Sequence, residues 1–118
     1  MSAIQAPAPD AIAFQLVATL DQYEADTAAM IAGWPDLDQY GAVTSHVEKI
    51  RRYSAALPEL RVEWVELLIA HAELVHHLWR VQHAPEDAVR QAVQPLRAQH
   101  AGAIVGLRKR CLRRMTHA

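Results

Sequence analysis

The chain is short of most residues that betray a chemistry. It has one cysteine, Cys111, among 118 residues. A single thiol excludes an internal disulfide and fits a reducing compartment. There are four glycines, and none opens a phosphate-cradling loop. No run of about 18 apolar residues occurs, so no membrane span is expected. The first nine residues, Met-Ser-Ala-Ile-Gln-Ala-Pro-Ala-Pro, lack a basic start and an apolar core and do not read as a signal peptide. These absences together predict a cytoplasmic protein. No nucleophile motif occurs, and no acid pair is singled out by spacing. Enzymatic activity is therefore not expected. Lys and Arg are missing from residues 1–48, which hold Asp10, Asp21, Glu24, Asp26, Asp36, Asp38 and Glu48.

What is present favours helix. The chain is 52% hydrophobic and rich in alanine, and Val, Ile and Thr never alternate with polar residues as in a half-buried strand. The net charge of −1 gives no general pull toward nucleic acid or membrane. Residues 1–9 read as a Pro-containing arm and residues 10–118 as a single helical-bundle domain. Asp10 is placed to cap the first helix, which runs to about Gly33. Trp34-Pro35-Asp36 ends it. Asp36 with Gln39 has capping-box spacing, although Ser45 with Glu48 offers a second helix a rival start near 45. Pro58 opens a third helix running to about Gln82. Pro85, with Glu86 and Asp87, opens a fourth, where Pro95 predicts a kink or a short break. Four helices with short turns predict an all-α, up-down-up-down four-helix bundle.

Two histidines fall inside the rows that must face the core. The rows are Leu16, Leu20, Tyr23, Thr27, Met30; then Tyr40, Val43, Val47, Ile50, Ser54, Leu57. The third is Leu60, Trp64, Leu67, His71, Leu74, Leu78, and the fourth Val89, Val93, Leu96, His100, Ala103, Leu107. Counted from the turn, His71 and His100 differ in level by roughly 4 to 5 Å. Tyr23 and Glu24 share that layer. The simplest reading is a hydrogen-bonded polar layer that fixes register. The alternative is a Zn or Fe site on His71, His100 and Glu24; otherwise no cofactor is expected. Glu73 and His76 give one Glu-x-x-His where a di-iron bundle needs two. His76, His77 and His83 read as surface residues, and Cys111 as a buried structural thiol.

Helix four carries a second pattern. Ala98, Gly102 and Gly106 form a small-residue stripe opposite the core row, beside Ala101, Val105 and Leu112. Helix three shows Val62, Val65, Ile69 and Ala72 outside its core row. Such second faces predict a protein contact, with self-association expected. The basic run Arg108, Lys109, Arg110, Arg113, Arg114 lies beside residues 11–17 of helix one, which carry no acid. That predicts an unneutralised end suited to an acidic partner. No reading helix or aromatic platform accompanies the run, so nucleic acid is not expected. Trp34 followed by Asp36 and Leu37, the Leu67-Leu68 step, and an apolar and basic helix four resemble the layout of small helical flagellar and type III secretion export chaperones. That resemblance spans most of the chain and implies a protein-binding role without assigning a site.

Overall fold

The computed structural model describes residues 8–82 and 86–116. Four helices follow in order: α1 (Pro9–Ala32), α2 (Leu37–Ala55), α3 (Arg61–Arg80) and α4 (Glu86–Thr116). A 3₁₀ turn, Pro58–Leu60, precedes α3. The expected openings at Pro85 and the arm over 1–7 lie outside the described residues, as do His83 and the Val89 side chain. No described helix is long and apolar enough to cross a membrane.

The helix starts follow local chemistry. Pro9 takes the first position of α1, with Ala8 as cap and no side chain capping it. Asp10 thus lies inside the first turn rather than before it. Proline suits that position because its missing N–H has no helical partner to lose. Asp36 Oδ1 accepts from the Asp38 and Gln39 amides at 3.0 and 3.1 Å. This cap starts α2 at Leu37 and disposes of the later start near 45. Pro95 stands inside α4 without ending it. The Gln91 carbonyl loses its usual N–H donor, yet the helix is continuous over all 31 of its residues.

The helices run up, down, up and down. The indole of Trp34, at the α1–α2 turn, donates to the Leu78 carbonyl near the end of α3 at 3.0 Å. Arg114, near the end of α4, pairs with Glu59 at the start of the α3 arm. α1 packs mainly on α2 and α3 on α4, while α1 and α4 join the two pairs. The core holds Leu16, Leu20, Tyr23, Met30, Val43, Ile50, Leu60, Leu67, Leu74, Leu78, Ile104, Leu107 and Cys111. Each fully buried leucine contributes roughly 1.5–3 kcal/mol.

The body is long and thin, 63 × 25 × 17 Å. A layer that thin cannot cover both faces of α3 and α4. Val62, Val65, Ile69, Val105 and Leu112 accordingly remain 41–64% exposed.

Candidate functional site

The polar layer forms at mid-height. Tyr23 projects from α1 with no exposed surface. Its hydroxyl lies 2.9 Å from His71 Nδ1 and 2.6 Å from His100 Nε2. Pro95 therefore has not turned His100 off the core row. A phenol has one proton to donate. Tyr23 can therefore donate to only one imidazole and must accept an N–H from at least one. The tautomers of the two rings are linked through this oxygen: a lone pair turned toward Tyr23 by one ring takes the only phenol proton and requires an N–H from the other.

Burial sets the charge states. His100 is 5% exposed, and its pKa is pushed down to about 4 by burial, then by His71 and Arg97 nearby. Burial also lowers His71, which is only half-buried. The Tyr23 phenol is pushed above its ordinary value by burial. The Thr27 hydroxyl one turn on offsets a little of that rise, but it makes no hydrogen bond of good geometry. All three groups are neutral at pH 7, so the layer is a hydrogen-bonded chain without ions.

Glu24 does not join it. Its side chain is half exposed and accepts from Arg108 at 3.1 Å. Helix α1 points Tyr23 inward, and the next residue must turn about 100° away. Among the described residues, no three His, Cys, Asp or Glu side chains gather as a metal-ligand set. The Zn or Fe site on His71, His100 and Glu24 therefore lacks its carboxylate.

The basic end also differs from expectation. Arg108 pairs with Asp21 at 2.9 Å and with Glu24. Arg110 approaches Glu63 at 3.9 Å, and Arg114 pairs with Glu59. Acids of α1 and of the α3 arm thus neutralise much of the run, and it is not an open cationic surface. Cys111 is fully buried, and burial with nearby Glu63 pushes its thiol up to about 11.

The outer face of α3 and α4 is open. Ala98, Gly102 and Val105 are exposed, Gly106 half-buried. A methyl group added at Gly102 or Gly106 would meet nothing within 4 Å. Among the described residues, no other helix approaches closely at Gly102 or Gly106. Glu66, Ile69, Gln99, Gly102 and Ala103 line a shallow groove between the two helices.

Three features escaped the sequence reading. Trp34, Tyr40 and Trp79 form a cluster of edge contacts, with centroids 4.7 to 6.4 Å apart. Trp34 at one turn and Trp79 at the end of α3 had to share an end in this topology, so the signal was present. His46 Nε2 lies 2.7 Å from Asp26 Oδ2 across the α1–α2 hairpin. His77, read as a surface residue, is half-buried, with Nε2 enclosed and unpartnered. Comparison with protein-family models, curated proteins and solved structures finds no match.

Proposed function

We propose that this protein is a non-enzymatic helical interaction module, chaperone- or adaptor-like, that binds protein through the outer face of α3 and α4. One observation carries the reading. Val62, Val65, Ile69 and Val105 stand 41–64% exposed on adjoining helices beside an uncovered Gly102. Scattered apolar residues need no explanation, but a group on one face marks an association surface. Small residues at its centre let another helix approach closely. The first partner to consider is a second copy of the chain, since a two-fold contact lays the same face on itself. The acidic partner expected from the basic run loses its main support, because Arg108, Arg110 and Arg114 already have internal carboxylates. A cytoplasmic setting suits a lone thiol.

Sedimentation tests the reading. At about 50 micromolar, a contact worth about 6 kcal/mol is half formed. The unmodified protein should show a dimer there. Gly102→Leu has room in the monomer and should abolish association while preserving the helical signal. Ile69→Arg should do the same. A monomer at every concentration up to that level removes self-association. Normal association of both variants moves the contact away from this face.

A further inference from the structure

A cleft between α1 and α4 reaches the polar layer from the side opposite His71. It has a volume of about 130 Å³ and is lined by Glu24, Thr27, Ala28, Ile31, Arg97, His100, Ala101 and Ile104. Thr27 Oγ1 lacks a partner, and His100 and Arg97 present further polar groups to the same cleft. Thr27 is 3% exposed, and its hydroxyl is enclosed and unbonded. It has not even taken the carbonyl one turn back, the usual recourse of a helical threonine. His100 has committed Nε2 to Tyr23, so Nδ1 is the ring nitrogen left for the cleft. Arg97 makes no hydrogen bond or ion pair among the described residues, yet its charge reaches His100. A buried polar group without a partner is costly; here that cost falls on Thr27 Oγ1, in the small volume that Arg97 and His100 also line.

We propose that this cleft binds a short-chain monocarboxylate, with its carboxylate on Arg97, His100 Nδ1 and Thr27 Oγ1 and its tail against Ala28, Ile31, Ala101 and Ile104. Three observations select that class. The donor set is one guanidinium, one imidazole N–H and one hydroxyl, which complements a carboxylate's acceptors. Glu24 on the rim is held by Arg108, and its charge disfavours a dianion. A cavity of about 150 Å³ accommodates benzene, with its six heavy atoms. The cleft therefore suits propionate or butyrate.

The tautomer link gives binding a distant consequence. A bound carboxylate requires a proton on His100 Nδ1. Neutral His100 then presents a lone pair at Nε2, and Tyr23 must donate to it. Tyr23 oxygen then accepts from His71 Nδ1–H. His71 is left with an unprotonated Nε2 on the half-exposed α3 side. An occupant on one side thus fixes the hydrogen-bonding character of an imidazole on the other. The groups that face His100 are Tyr23 and Glu24 from α1, His71 from α3 and Arg97 from α4. His71 and then Arg97 disfavour the imidazolium, and a carboxylate set beside Arg97 and His100 offsets the repulsion from Arg97.

Butyrate, butyramide and butylammonium, titrated into the full-length protein at constant ionic strength and followed by NMR, test the proposal. Butyrate should give saturable shifts at Thr27, Ala28, Ala101 and Ile104, and butyramide should bind at least tenfold more weakly. Butylammonium should give no saturable shift. The His100 pKa should rise by a unit or more in saturating butyrate, and ¹⁵N ring spectra should show both Nδ1 atoms protonated. Arg97→Gln should weaken butyrate tenfold or more while keeping the Tyr23–His layer intact. Ala101→Leu should block butyrate and butyramide alike. Equal affinity for the acid and the amide overturns the carboxylate assignment. So does an Arg97→Gln variant that binds butyrate normally. Absence of saturable shifts up to 50 millimolar butyrate removes the site, whatever the outcome of sedimentation.

Discussion

Removing a single oxygen atom interrogates the centre of this protein. In Tyr23→Phe the ring still fills its place in the core, but His100 Nε2 loses a partner at 2.6 Å and His71 Nδ1 one at 2.9 Å. The two losses are unequal. His100 is 5% exposed, and its Nε2 points into the core at Tyr23, so its orphaned nitrogen costs about 1–3 kcal/mol. His71 is half-buried and can recruit water, which holds its loss to about 0–1 kcal/mol. Removing a buried phenol also spares its desolvation, which returns part of the cost. A net loss of about 2 kcal/mol follows. For a chain of this size that lowers Tm by roughly 8 °C.

Urea and thermal unfolding, followed by circular dichroism, measure the change directly. A double-mutant cycle with His100→Leu separates the hydrogen bond from packing. The coupling should reach about 1 kcal/mol, since the two side chains share one bond. A Tyr23→Phe protein within about 0.5 kcal/mol of the original, the level of an ordinary surface change, would refute the claim that this layer is a bonded unit.

Stability should fall in acid through the same residues. The folded His100 pKa lies near 4 against 6.5 unfolded, so the unfolded chain takes up the proton first. The contribution is fully present above pH 6.5 and is lost as pH falls toward 4, about 3 kcal/mol in all. Urea midpoints at pH 7.5 and 4.5 should differ accordingly, and His100→Leu should flatten most of the slope. Asp36→Ala removes both amide bonds at the start of α2 and should cost about 1 kcal/mol; an unchanged urea midpoint contradicts the cap. Cys111, enclosed and with its thiol pushed up to about 11, should resist a thiol reagent at pH 7.5 until denaturant is added. Prompt labelling of the native protein would place it at the surface.

The bundle was legible because helical periodicity is a property of many residues at once. The row Leu16, Leu20, Tyr23, Thr27, Met30 is buried throughout, and Leu60, Leu67, Leu74 and Leu78 likewise. One misplaced side chain does not disturb such an average. Cap details were less legible, since Asp10 and Pro9 compete for neighbouring positions and backbone geometry decides. The polar layer was half legible. Position along each helix put Tyr23, Glu24, His71 and His100 at one height, but height alone says nothing of direction. Successive residues diverge by about 100°, so only one of Tyr23 and Glu24 can face the histidines. Tyr23 lies on the row of Leu16, Leu20 and Thr27; Glu24 does not. That row, applied to the site as it was to the core, selects Tyr23.

The charge reading failed for a related reason. Counting register along α1 and α4 sets Arg108 beside residue 17, at the end of a stretch with no acid. Asp21 lies only four residues further on, roughly 6 Å by helical rise. A long arginine stem and a carboxylate reaching toward each other along a shared groove close that gap, and Arg108 meets both Asp21 and Glu24. The backbone count held, but charge pairing follows the side-chain heads. With those cations engaged, what distinguishes α4 from a simple surface helix is its apolar edge at Val105 and the open space over Gly102. Association through such a face draws on buried apolar area, which salt does not screen. It should therefore persist at high ionic strength, where a contact through the basic end would be lost.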